Sequence, residues 1–406
     1  MSHRSSTGRY LTYFPYNVAF GILGALIPLY LVDELRGSLI DLGLMSSIST
    51  MTVIPASVYL GRLPDRYGRS KPFILGAFLG VSLILFYMPT VTSVTIFQIL
   101  YVLMSLVNYV VGPSTSVLIA ESFERSRWGT AVARQSFVEG MAQATGLAVC
   151  SFMINRFGYV TLLRLAGPLV FSAFVLGFLT ISDPPMHVER LLSRFERPVD
   201  NIETLSFHLT SSGISPTRRE KLQLGREPSM AFLGLSMIIF SFAANNAFTS
   251  LSIYLRERVM LPTSTIFTIL LIRSLFGTAS YLMVGRIVGS SGGGAARLAV
   301  GMRIILVLLL PMVAALPQPF SLVGIVAVLS AIAFSFSIYA VGMEIVKVAY
   351  AAPGSLGVYD ALSSLGGATG SFSGGLIPTL FGFEMLYLIS AGFFASCLFV
   401  LNMALR

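Results

Sequence analysis

The chain has 406 residues, of which 55% are hydrophobic and 11% charged, and its mean hydropathy is +0.80, which excludes an ordinary water-soluble globule. The formal charge of +9 would suit a nucleic-acid binder, but the Lys and Arg residues sort by position relative to the apolar stretches. Basicity of that kind reads as membrane topology, and nucleic acid is excluded as a partner.

A membrane-spanning helix needs roughly 20 mostly apolar residues. Twelve such stretches follow one another, near 10–32, 39–60, 72–89, 94–119, 129–154, 158–181, 229–256, 263–288, 297–316, 319–347, 354–379 and 383–405. Lipid offers the backbone no hydrogen-bond partners, so these are expected to be helices, and the short connections make sequence neighbours antiparallel neighbours in space. With the N-terminus in the cytoplasm, only Arg36, Arg156, Arg256 and Arg258 fall in outer loops, and Arg134, Arg164 and Arg273 fall within spans. The remaining cations are assigned to cytoplasmic segments, which puts both termini inside and the protein in the plasma (inner) membrane as a multi-pass chain. The first stretch is too long for a signal-peptide core and is read as span 1. Cys150 and Cys397 lie in spans, against a disulfide framework.

Between spans 2 and 3 stands Gly61-Arg62-Leu63-Pro64-Asp65-Arg66-Tyr67-Gly68-Arg69-Ser70-Lys71, followed by Pro72. Gly61 allows close backbone approach, Gly68 suits a tight turn, and Pro72 suits a first helical turn. Asp65 is a lone carboxylate among basic groups, so it needs a cationic partner or the positive end of a helix. Taken alone, the segment could be no more than a basic turn that holds topology. Its spacing, however, resembles the signature loop of the major facilitator superfamily, and it sits between the second and third spans, where that family carries it.

The one long polar stretch, 183–228, contains Pro184, Pro185, Pro198 and Pro216 and reads as a cytoplasmic linker. It separates an N-terminal six-helix half, 1–182, from a C-terminal one, 229–406. Laid on each other, the halves match at a constant offset of 224 positions: Tyr30-Leu31 on Tyr254-Leu255, Gly61-Arg62 on Gly285-Arg286, Ala144-Thr145-Gly146 on Ala368-Thr369-Gly370, and Phe157-Gly158 on Phe381-Gly382. One register running through four matches indicates internal duplication. The second signature loop is degenerate, with Gly289 where the acid would stand.

The resemblance covers essentially the whole chain. It implies an all-α integral membrane fold of twelve transmembrane helices in two pseudo-symmetric six-helix halves, which rock about a central site. It further implies a signature loop, with Gly61, Asp65, Arg66, Gly68, Arg69 and Lys71, that helps to hold the cytoplasmic side shut. Asp65 would cap or pair near span 11, and Arg69 would reach Glu121 at the end of span 4. Two departures leave the substrate class open. Tyr101 stands where many proton-coupled drug exporters carry an arginine in span 4, and span 5 reads Gly140-Met141-Ala142-Gln143-Ala144-Thr145-Gly146, with no proline.

Ionisable residues at mid-bilayer are costly and therefore functional candidates. Counted from the ends of their spans, Glu139 and Arg273 each lie about 15 Å deep, and the family arrangement sets spans 5 and 8 face to face. They are expected to pair or to share a wet cavity across the seam between halves. The competing reading is a permanent structural ion pair. Arg134 and Asp360 read as gate or snorkelling residues. The family's cavity-lining spans here carry Asn17, Asn108, Asn245, Asn246 and Tyr339, as solute ligands or as hydrogen bonds between helices. The glycine series Gly366-Gly367, Gly370 and Gly374-Gly375 is expected to pack against span 2.

Together these point to a secondary transporter of a small organic solute by alternating access, with protons as the coupling partner, working as a monomer without cofactor or metal. The alternatives are a uniporter, and a non-transporting sensor or lipid-handling protein on the same fold. Primary pumping is disfavoured because no P-loop occurs, and an enzyme because no metal-ligand cluster or nucleophile–base pair is apparent, His3, His187 and His208 all lying outside the spans.

Overall fold

In a computed structural model the described residues are 4–59, 70–112, 114, 115, 118, 128–181, 229–288, 292–350 and 356–405, and they are almost entirely helical. The central segment and the signature loop lie outside them. In chain order the helices are α1 (Arg4–Leu29), which ends in a π-helical turn (Tyr30–Glu34), α2 (Leu39–Tyr59), α3 (Lys71–Tyr87), α4 (Val94–Tyr109), α5 (128–157) and α6 (159–180). There follow α7 (Met230–Phe248, resuming as Leu251–Glu257), α8 (Thr263–Val288), α9 (Gly292–Ala314), α10 (Phe320–Tyr350), α11 (Leu356–Phe381) and α12 (Phe383–Ala404). Nine helical stretches among the described residues are long and apolar enough to cross a bilayer, with α5 and α6 counted as one. Large apolar side chains such as Phe152, Phe399, Ile99 and Leu298 face outward, as a lipid-solvated surface requires.

The α5–α6 and α11–α12 corners are each made by one glycine. Gly158 has φ 71° and ψ 178°, and Gly382 has φ 84° and ψ 167°, a region that side chains disfavour. They stand 224 positions apart, and the rest of the backbone keeps the same period. Gly37 N donates to Leu31 O at 2.8 Å and Leu261 N to Leu255 O at 3.1 Å. Leu35 N donates to Tyr30 O at 3.1 Å and Val259 N to Tyr254 O at 3.3 Å. Among the described residues Arg36 and Met260, again 224 apart, are the two non-glycine ones with positive φ, at 55° and 57°. The same sharp turn therefore closes α1 onto α2 and α7 onto α8.

Helices in lipid associate through close backbone approach and interhelical hydrogen bonds, because lipid is as apolar as leucine. The tightest approaches repeat too. A Cβ on Gly146 of α5 would collide with Val18 O of α1, and one on Gly370 of α11 would collide with Phe242 O of α7. Positions 18 and 242 are likewise 224 apart. The glycine series of α11 meets the expected α2 with part of its length and α7 with the rest. Gly366, Gly370 and Gly374 lie against the α7 backbone at Ile238, Phe242 and Asn246, whereas Gly375 meets α2 at Leu39 and Gly43, and Gly367 sits between Thr50 of α2 and Asn245 of α7. Residues spaced by four share one helix face, and that face is turned toward α7, so the series mainly serves packing within the last six helices.

Gly370→Ala should lower the thermal midpoint of the detergent-solubilised protein, since overpacking of a tight contact costs about 1–3 kcal/mol. Wild-type melting of that variant would show that the α7–α11 crossing can open at no cost.

Candidate functional site

Of the residues assigned to the signature loop and its partner, Gly61, Asp65, Arg66, Gly68, Arg69 and Glu121 lie outside the described residues. Lys71 opens α3, where its Nζ donates to Phe178 O at 2.9 Å and stands 5.3 Å from the Phe178 ring. It therefore ties α3 to the end of α6.

Glu139 lies on a polar stripe of α5 formed by Gln135, Glu139 and Gln143, each four residues from the next and so on one face. Gln135 Nε2 donates to Glu139 Oε1 at 2.8 Å. Gln143 Nε2 donates to Asn17 Oδ1 of α1 at 3.4 Å, and Asn17 Nδ2 donates to Tyr13 O at 3.0 Å. Tyr16 of α1 is within electrostatic reach of Glu139, and its hydroxyl donates to Asn108 Oδ1 of α4. Tyr13 OH and Thr115 Oγ1 share a 2.8 Å bond. Asn17 and Asn108 thus join α1 to α5 and α4, and the stripe leads from them to Glu139.

The direct pair between Glu139 and Arg273 is not formed. α5 and α8 do pack across the seam, but their register is fixed elsewhere. Gly140 abuts the Thr278 side chain, Ser151 Oγ and Thr268 Oγ1 are 2.6 Å apart, and Asn155 Nδ2 donates to Ser264 Oγ at 3.1 Å. That register sets Arg273 opposite Thr145, six positions beyond Glu139 and so about 9 Å along the axis. Equal depth assumed that α5 begins at a membrane edge. From 128 to 157 it is about 45 Å long, longer than a bilayer core of about 30 Å, so its start is not such an edge.

The two asparagines of α7 hold helices together. Asn246 is fully buried; its Nδ2 donates to Ser390 Oγ of α12 at 2.8 Å, and its Oδ1 accepts from Ser373 Oγ of α11 at 2.7 Å. Asn245 Nδ2 donates to Ser241 O at 2.9 Å, and its Oδ1 accepts from Ser371 Oγ at 3.5 Å. Asn245 O also accepts from both Thr249 N and Thr249 Oγ1, at 3.0 and 2.7 Å, at the point where α7 breaks.

The most unusual residue is one that depth counting from the sequence assigned to the cytoplasmic side. Arg303 lies eleven residues into α9, about 17 Å from its start, and is 2% exposed. Nε donates to Ser335 Oγ at 3.2 Å and Nη2 to Ile332 O at 3.4 Å, while Nη1 is buried without a partner. Its guanidinium carbon is 5.0, 5.3, 5.6 and 5.9 Å from the ring centroids of Phe240, Phe336, Phe394 and Phe248. Tyr339 stacks on Phe240, with centroids 3.4 Å apart, and its buried hydroxyl has no partner. The signal was available, because Arg303 falls inside the predicted span 297–316. Gln135 and Gln143 were likewise legible as amides one turn either side of Glu139.

At the end of the bundle opposite the chain termini the two sets of six helices touch through polar groups. Asp33 Oδ2 accepts from Tyr159 OH at 2.5 Å and lies 3.7 Å from Arg256 Nε. Tyr159 OH and Thr263 Oγ1 are 3.1 Å apart. Cys150 and Cys397 are buried and free.

This arrangement can be set beside known proteins. The family model described as Major Facilitator Superfamily matches residues 10–355. The multidrug resistance protein MdtG of Salmonella arizonae is 24% identical over 398 residues, covering 96% of this chain and 92% of that one. The nucleoside transporter NupG superposes with a TM-score of 0.71 at 12% identity, covering 99% of each chain. The human organic anion transporter MFSD10 gives 0.63 at 17% identity, covering 98% of this chain and 99% of that one. At such identities the structural likenesses speak to the fold alone.

Asn246→Ala removes two buried interhelical hydrogen bonds and should destabilise the solubilised protein by about 1–2 kcal/mol, while leaving solute affinity unchanged. A variant that melts like wild type but binds solute more weakly would make Asn246 a ligand.

Proposed function

The chain belongs to the major facilitator superfamily, and from that membership we propose that it moves a small organic solute across the inner membrane by alternating access, driven by protons that load at Glu139. It is a membrane transporter. In the proposed cycle the bodies 1–182 and 229–406 rock about a central site, joined by the linker 183–228, with both termini cytoplasmic. The signature loop and Glu121 serve as the gate on the cytoplasmic side, and the Asp33, Tyr159, Arg256 and Thr263 cluster as the gate on the other. The name of the MdtG relatives supports an amphipathic, drug-like range of solutes.

One comparison within the molecule carries the proton assignment. At the 224-residue offset, Asn17 and Glu139 correspond to Ser241 and Ser363, and these close the α7–α11 crossing with a 2.6 Å hydrogen bond between hydroxyls. The same crossing can therefore be held by neutral groups, and the first six helices place a carboxyl there instead. Among the described residues Glu139 has a neutral partner, Gln135, and its neighbour Gly140 touches α8 across the seam. A proton on Glu139 thus changes the charge beside the surface along which the halves move, which biases two states through their differential interaction with that charge.

In proteoliposomes with an imposed pH gradient, Glu139→Gln should lose gradient-driven accumulation by at least about tenfold, while exchange of solute down its own gradient stays within about twofold. Equal gradient-driven flux in variant and wild type would sink the coupling role.

A further inference from the structure

Two guanidinium groups lie inside the last six helices without an acid to match them among the described residues. Arg273 of α8 has no hydrogen bond or ion pair among the described residues, and its Nε is buried without a partner, although the residue is partly exposed. Among the described residues Arg303 has the neutral Ser335 and Ile332 as its acceptors. The two repel one another, and both stand over Phe248, at 5.8 and 5.9 Å from its centroid, hence no more than about 11.7 Å apart. Aromatic faces attract cations, but a ring quadrupole does not replace a counter-ion at this depth, where an unpaired charge is costly.

The fold does not need these charges. At the 224-residue offset Arg273 corresponds to Ser49 and Arg303 to Leu79, and the first six helices pack in the same arrangement with those neutral residues. Glu139 does not supply the missing charge, since it is offset along the seam and bonded to Gln135. Among the described residues of this half, Arg258 pairs with Glu384, between exposed side chains at the end opposite the termini.

We propose that Arg273 and Arg303, both beside Phe248, form a subsite for the acidic head of an aromatic organic anion: a carboxylate, sulfonate or phosphate ester on a ring-bearing body. Arg273, the more accessible of the two, makes the direct charge-assisted contact. Arg303, clamped by Ser335 and four phenyl rings, is the fixed second charge that raises the local positive potential. Phe248, partly exposed beside both, offers a face for the ligand's ring. This deepens the transport reading and rests on it for the claim that the bound anion is cargo, but anion binding itself can be measured without flux.

The experiment is a thermal-shift titration of the purified full chain in detergent with 1-naphthoate, benzenesulfonate and phenyl phosphate, each against its neutral amide or ester counterpart, on wild type, Arg273→Gln and Arg273→Lys. The subsite predicts saturable stabilisation by the anions over the neutral counterparts. It also predicts at least about a tenfold loss of affinity in Arg273→Gln and recovery of most of it in Arg273→Lys. Anions no better than their neutral counterparts, or Arg273→Gln binding as wild type does, would overturn it. Because Arg303→Gln risks misfolding, Phe248→Ala is the second variant. Weakened anion binding with an unchanged response to neutral solutes supports the subsite, and unchanged anion binding removes Phe248 from it. Arg273-dependent binding without flux in proteoliposomes keeps the subsite and defeats the transport reading, whereas flux of neutral solutes with no anion response does the reverse.

Discussion

Lipid cannot hydrogen-bond, and that single constraint organises this molecule. It forces the backbone into helices, and it removes the hydrophobic drive that would otherwise press helices together, so contact must come from close approach and from polar groups that satisfy one another. The α1–α5 and α7–α11 crossings meet both demands at once. Gly146 and Gly370 let the backbones touch at Val18 and Phe242, while Asn17 with Gln143, and Ser241 with Ser363, close the polar positions beside them. At the next layer the sequence exchanges large for small without changing the geometry. Gly21 meets the Gln143 backbone in one crossing, and Gly367 meets the Asn245 side chain in the other.

Because one design appears twice, each half serves as a control for the other. Turns, corner glycines and tight crossings repeat at 224 positions, so they are what the fold requires. What does not repeat is the charge at mid-membrane. Glu139 stands where the other half has Ser363, Arg273 where it has Ser49, and Arg303 where it has Leu79. An ionised group at mid-membrane weakens packing unless something compensates for it. That these three charges have neutral counterparts in the other half separates architecture from the groups available for work.

Much of this was legible in the sequence, for a physical reason in each case. Spans announce themselves because apolar runs have no other solvent, and Gly158 and Gly382 could be matched because a left-handed corner tolerates little else. Register between helices was not legible. It depends on side chains such as Ser151 with Thr268 and Asn155 with Ser264, whose partnering no single sequence reveals, and the expected Glu139–Arg273 pair failed on that point. For the same reason the α11 glycines were assigned to α2 alone and their second neighbour, α7, was missed, since a small-residue face shows that something comes close without showing everything that does. Arg303 was lost to a boundary. Placing a helix end a turn or two out moves a cation from mid-membrane to the interface, and with it the inference drawn from its cost.

The failure of that pair is informative about mechanism. Had Glu139 and Arg273 met, each would have satisfied the other, and an incoming proton or anion would have had to break an ion pair before gaining anything. Held about two helical turns apart along the α5–α8 seam, the carboxyl rests on a neutral amide and the guanidinium lacks an acid among the described residues, so each keeps its charge open to an external partner. On the proposed reading, a proton arriving at Glu139 and an anion arriving at Arg273 both remove uncompensated charge from the same moving surface. The two events are then coupled through the position of the halves rather than through a bond between the residues, as a linkage between separate sites requires.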